Sequence, residues 1–177
     1  MRALRSSAAR AGLAVVAAAA LTVSLASSAS AATVTRTVTD GGTTYNLSLT
    51  APDSAATTGA NITVSGSGYN PAQGIYVGLC AIDGDQGANK PTPCLGGQDE
   101  TGTTGASYWI SNQGGGTVPN STTFGVNGAF SVTIHVKADL GGGNVCGDTV
   151  ECAVVTRADH TDSSDRAYDV HAPIVFQ

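Results

Sequence analysis

The sequence predicts an all-β fold, a sandwich of two packed antiparallel sheets carrying long loops. Three observations point to it. Of 177 residues only 12% are charged and 23 are glycine, and Val, Thr and Ser outnumber the helix formers Leu, Lys and Glu, a composition that disfavours helices. Short runs of alternating apolar and polar residues recur between turn signals at sandwich-like spacing. No stretch after the N-terminal segment has a helical period, and no internal repeat or composition break marks a second domain.

The N-terminal segment stands apart from that pattern. Arg2, Arg5 and Arg10 precede an apolar, alanine-rich run from Ala11 to Val23, too short for a convincing membrane span. Ala29-Ser30-Ala31 is an A-x-A cleavage pattern, so residues 1–31 are expected to be a signal peptide and 32–177 a single secreted domain. Removing three arginines takes the formal charge from −5 to about −8. A chain of that charge repels phosphate backbones, which argues against nucleic-acid binding. No second apolar run reaches membrane length.

The strands follow in order. Val34, Val38, Tyr45, Leu47 and Leu49 alternate with polar residues around Asp40-Gly41-Gly42, a hairpin signal. Residues 50–59 read as loop. Ile62 and Val64 mark the next strand, and Gly66 to Gly74, with Tyr69-Asn70-Pro71, a turn. Ile75, Val77 and Leu79 face one way while Tyr76, Gly78 and Cys80 face the other. Both faces hold bulky groups, which predicts a central strand. Residues 83–105 form a long Gly-, Asp- and Pro-rich loop, and Ser107 to Asn112 a short aromatic strand. Residues 114–123 are loop. Asn127-Gly128 separates Phe124 and Val126 from Phe130, Val132, Ile134 and Val136, the clearest hairpin signal in the chain. Residues 139–144 are loop, Ala153 to Val155 begin a strand, residues 159–169 form a polar loop, and Ile174 to Phe176 a last short strand.

In an exported chain an even number of cysteines means disulfides before metal. Cys80, Cys94, Cys146 and Cys152 allow three connectivities. The sequential one closes loops of about 15 and 7 residues, which chain entropy makes worth roughly 3 and 2.3 kcal/mol. Neither spacing is that of a zinc site.

Residues 61–177 carry a family resemblance. Val64-Ser65-Gly66-Ser67-Gly68-Tyr69, then Ile75-Tyr76-Val77-Gly78-Leu79-Cys80-Ala81, then Gly128-Ala129-Phe130-Ser131-Val132, Val145-Cys146, Cys152-Ala153-Val154 and the closing Pro173-Ile174-Val175-Phe176 together resemble the neocarzinostatin family of small secreted actinobacterial proteins. Val155 to Arg166 also looks like neocarzinostatin-like modules of secreted proteins linked to haem uptake. The resemblance implies an immunoglobulin-like antiparallel β-sandwich, Cys94 as the partner of Cys80, and an apoprotein that holds a small, largely apolar natural product (in the family, an antibiotic) without transforming it. Ile82 and Ala153 stand where the family's namesake has tryptophan and glutamine.

The candidate ligand contacts are Tyr76, Ile82, Tyr108, Trp109 and Phe124 as apolar surface and Arg157 as polar anchor, in a cleft beside Cys80 and Cys94. The competing reading puts Trp109 and Phe124 in the core beneath the loops. Residues 159–166 contain Asp, His and Ser, but neighbours on one loop seldom form a nucleophilic relay and no G-x-S-x-G turn is present, so the chain is not expected to be an enzyme. Carboxylates around Asp83 or Asp159 could gather a hard cation, though the spacing lacks the late bidentate glutamate of a calcium loop. Nothing in the spacing requires a cofactor. The alternative function is an extracellular structural or interaction module that meets the cell wall or a protein partner and holds no small ligand.

Overall fold

A computed structural model describes residues 30–99 and 101–177. The expected leader lies outside these residues apart from Ser30 and Ala31. The strands are β1 Ala31–Asp40, β2 Thr43–Pro52, β3 Ser54–Ala55, β4 Ala60–Ser67, β5 Ile75–Ile82, β6 Ser107–Ile110, β7 Ser121–Thr122, β8 Phe130–Val136, β9 Asp139–Gly141, β10 Asn144–Val145, β11 Glu151–Ala158, β12 Val170–Pro173 and β13 Val175–Phe176. One sheet has the order β1-β2-β4-β8 and is antiparallel throughout. The other has the order β12-β11-β5-β6-β7, antiparallel except where β7 joins β6. Two small ribbons, β9 with β10 and β3 with β13, complete the fold.

The alternation read from the sequence decides what is buried. Leu47, Leu49 and Ala51 of β2, Val64 of β4 and Ile134 of β8 meet Ile75, Val77, Leu79 and Val154 of the second sheet in one shared core. That is the packing of a sandwich, in which each sheet hides one face against the other. The β1–β2 hairpin closes through Gly41 and Gly42, both at positive φ (+55° and +80°), with Asp40 opposite Thr43. Two positive φ values in a two-residue loop match the twist of the flanking strands, and glycine takes them without a Cβ penalty. β5 has β11 on one side and β6 on the other, as its two bulky faces predict.

Five expectations are corrected. Residues 114–123, read as loop, hold β7, which pairs with β6. Asn127-Gly128 does not join two strands. Residues 126–128 form one 3-10 turn, and β8 takes β4 as its partner. The turn closes on itself through Gly125 N–H to the Ala129 carbonyl (2.7 Å), leaving Val126 84% exposed. Residues 50–59 are not all loop, since β3 lies there and pairs with β13. Residues 139–144 hold β9 and the start of β10. Tyr69, read as a turn residue, is a core residue 1% exposed, and its hydroxyl lies 3.0 Å from Thr156 Oγ1.

The loop at 159–169 is polar but not simply solvated. Asp159, Tyr168 and Asp169 are buried. Arg36 of β1 donates from Nη1 to the carbonyls of Arg166 and Asp169 at 2.8 and 2.7 Å, and Tyr168 donates to Asp40 Oδ2 at 2.6 Å. Arg166 pairs with Asp169 at 2.9 Å. Burial still pushes the Asp169 carboxyl from 3.8 up to about 6, against the pull of Arg166, Arg36 and Arg157. The folded chain therefore favours the neutral acid. This contribution to stability is fully present below pH 3.8 and is lost as the pH rises through 6. The stability of the native chain minus that of Asp169→Asn is expected to fall by about 2 kcal/mol between roughly pH 4 and 7. Denaturant melts of both proteins across that range check it, and a flat difference contradicts it. His171, whose burial lowers its pKa, and Asp40, lowered by hydrogen bonds from Tyr168 and Asn70, titrate in both proteins and cancel.

Candidate ligand-binding hollow

The pleat of the second sheet sets the site. Residues of β5 that face away from the core are Tyr76, Gly78 and Cys80. Their cross-strand neighbours on β11 are Arg157, Val155 and Ala153. On β6, Trp109 lies beside Tyr76 and Ser107 beside Gly78. Three rows thus cross the outer face, and the middle one has no side chain at its centre. That gap at Gly78 is the bottom of a hollow of about 160 Å³.

The loop after β5 supplies the wall. β6 covers only residues 75–78 of β5. Beyond it, residues 92–95 take the vacant edge. Thr92 N–H donates to the Ala81 carbonyl, Ala81 N–H to the Pro93 carbonyl and Leu95 N–H to the Leu79 carbonyl, each at 2.9 Å. The Cys80–Cys94 disulfide fastens this added edge, and Cys146–Cys152 forms the second bridge. Thr92, Lys90 and Gln98 then face the hollow from the loop side. Gln98 is fixed at both ends: its Nε2 donates to the Tyr76 hydroxyl at 3.1 Å, and its carbonyl accepts from Ser107 Oγ at 2.7 Å. The Tyr76 hydroxyl also lies 2.8 Å from His160 Nδ1.

Of the expected contacts, the hollow brings together Tyr76 and Arg157, with Cys80 and Cys94 beside them. Trp109 shares the row of Tyr76 but lies outside the lining. Its Nε1 donates to Asp159 Oδ2 at 2.9 Å and its ring packs 5.3 Å from that of His160. Tyr108 pairs with Val77 and packs against the core on the opposite face, because adjacent strand residues point to opposite sides. Phe124 is 8% exposed and stacks on Tyr69 at 6.3 Å, inside the sandwich. Ile82 lies beyond the disulfide, beside a separate shallow depression shared with Arg36 and His171. Lys90, Gln98, Gly78 and Val155 were not singled out by the sequence. Alternation along β5 and β11 carries a signal for the last two; the first two depend on where the disulfide draws the loop.

The chemistry of the nearby polar groups is accounted for locally. Asp159 accepts from Trp109 and from the backbone and hydroxyl of Thr161, while His160 bonds to Tyr76. No serine enters that set, so the Asp-His-Ser order of the loop makes no nucleophilic relay. Among the described residues no three His, Cys, Asp or Glu side chains gather to hold a metal ion, and no helix is long and apolar enough to cross a membrane.

Among solved structures the chain is similar to macromomycin. The two are 16% identical with a TM-score of 0.43, over 82% of this chain and 100% of that one. No family model and no curated protein matches the sequence.

Proposed function

We propose that the chain is a secreted, non-catalytic binding protein that sequesters a small, largely apolar ligand in the hollow beside Cys80–Cys94. The observation that carries this reading is the side-chain gap at Gly78, walled by Tyr76, Val155 and the disulfide-fastened loop on a sheet whose other face is fully packed. A hollow of this size takes about one aromatic ring. The rest of a larger ligand would lie over the 90–98 loop. Burial of the ring removes apolar surface from water, at roughly 25 cal/mol per Å² before the costs of association. Tyr76 and Val155 supply the apolar contact and Arg157 the polar anchor. Trp109 acts indirectly, by packing on the imidazole that bonds to Tyr76.

Gly78→Leu tests the location. A Cβ at position 78 would meet the Ala106 carbonyl at 3.4 Å and Ser107 Cβ at 3.6 Å, ordinary contacts, so the variant keeps the fold and fills the gap. The neutral fluorescent probe N-phenyl-1-naphthylamine is expected to bind the native chain and to lose at least about tenfold in affinity for the variant. Equal binding by the two proteins overturns this site. No binding by the native chain overturns the carrier reading and favours the extracellular interaction module.

A further inference from the structure

We infer that the ligand of this hollow carries an anionic group, of carboxylate or sulfonate type, that docks on Arg157 and faces Lys90 across the opening. The inference rests on the carrier reading and specifies its ligand class. Five cationic side chains lie among the described residues, and two of them line this one hollow. The other cations near the sheet are occupied: Arg36 on two carbonyls and Arg166 on Asp169. Arg157 is different. Its Nε is shut off from solvent and has no acceptor, and its guanidinium makes no ion pair among the described residues. No described residue lining the hollow is a carboxylate.

A buried donor without an acceptor is costly, and more so when it belongs to a charged group. Arg157 stays ionised despite its partial burial, because guanidinium does not release its proton in proteins. An oxyanion in the hollow that Arg157 lines would meet the terminal nitrogens of the guanidinium, not the enclosed Nε, and set a counter-charge beside a cation that has no ion pair among the described residues. The guanidinium fork suits a planar pair of oxygens, and the ammonium of Lys90 adds charge without demanding geometry. The chain as a whole is acidic, so its long-range field repels anions. Attraction is therefore local to this pair, which makes each of the two cations matter. The aromatic ring of Tyr76, cross-strand neighbour of Arg157, places the apolar part of such a ligand directly beside its charge.

Two probes of nearly one shape separate the charge from the apolar contact. 8-Anilinonaphthalene-1-sulfonate is N-phenyl-1-naphthylamine with one sulfonate added. At about 20 mM salt, where exposed charges are weakly screened, the native chain is expected to bind the sulfonate at least about tenfold tighter than the neutral probe. Arg157→Gln removes that preference, read as the ratio of the two affinities within each protein, and Lys90→Gln reduces it about threefold. Lys137→Gln, a cation away from the hollow, changes neither. Melting curves accompany each variant; should Arg157→Gln fail to fold, Lys90→Gln and Arg157→Lys, which keeps the charge, decide the matter. Equal affinity for both probes, or a preference that survives loss of both cations, overturns the anionic ligand and leaves the carrier reading standing. Binding of neither probe overturns both.

Discussion

Gly128→Ala is expected to lower stability by about 4 kcal/mol, which places it in the small class of single changes with a named backbone cause. Position 128 has φ +61°, and a Cβ built there would sit far inside contact distance of the Tyr69 carbonyl and backbone nitrogen. These are backbone atoms of a residue whose ring is in the core between Phe124 and Phe130, so neither side can give way cheaply. The tip of the 126–128 turn has to lift. That movement breaks the 2.8 Å bond from Gly68 N–H to the Asn127 carbonyl and loosens the seat of Tyr69. Gly41→Ala is the control. Its φ is also positive, +55°, but its Cβ meets nothing within 4 Å; the cost is then only the left-handed backbone, about 1 kcal/mol. Urea melts of the two variants should differ severalfold in lost stability. Equal losses would mean that φ, not the Tyr69 approach, governs both.

Loss of the Cys80–Cys94 bridge is the second large effect. Cys80→Ala with Cys94→Ala frees a loop whose ends are 14 residues apart in sequence, worth about 3 kcal/mol by chain entropy and a drop of roughly 10 °C in Tm. The Cys146–Cys152 pair, 6 residues apart, should cost less when removed the same way. The two pairs differ more sharply in binding. Three backbone hydrogen bonds hold residues 92–95 on the edge of β5, but without the bridge this short ladder frays and the wall bearing Lys90 and Gln98 is no longer fixed. Probe binding should fall by at least about tenfold in the Cys80/Cys94 variant and stay within about twofold in the Cys146/Cys152 variant. Parallel calorimetry and fluorescence titration of both read this out, and equal loss of binding in the two would disconnect the bridge from the hollow.

The parts of the fold that could be read in the sequence are those set by period and turn chemistry. The β1–β2 hairpin combines alternation with a two-glycine turn, and β5 shows its central place by holding bulk on both faces. Asn127-Gly128 misleads because the left-handed positions that suit a hairpin also suit a tip loop; only the pairing of β8 with β4 tells them apart, and that contact is distant in sequence. β3 and β13 are two-residue strands in parallel, too short for a periodic signal. Of the candidate contacts, Tyr76, chosen as an aromatic near the disulfide-tied loop, and Arg157, chosen as a polar anchor, line the hollow. Tyr108 and Trp109 were grouped as neighbours although the pleat separates them. Lys90 and Gln98 had no local signal, because their positions follow from a loop path that a disulfide and a vacant strand edge decide together.

The outward register of β5 and β11 has a consequence for redesign. Positions 76, 78, 155 and 157 line the hollow, while their immediate neighbours 77, 79, 154 and 156 interlock with the opposite sheet. Two texts are interleaved on the same strands, one for folding and one for the shape of the hollow. The second can be rewritten by randomising those four positions together with the loop at 90–98, and the first stays untouched, which makes this scaffold a natural starting point for a library of small-molecule receptors.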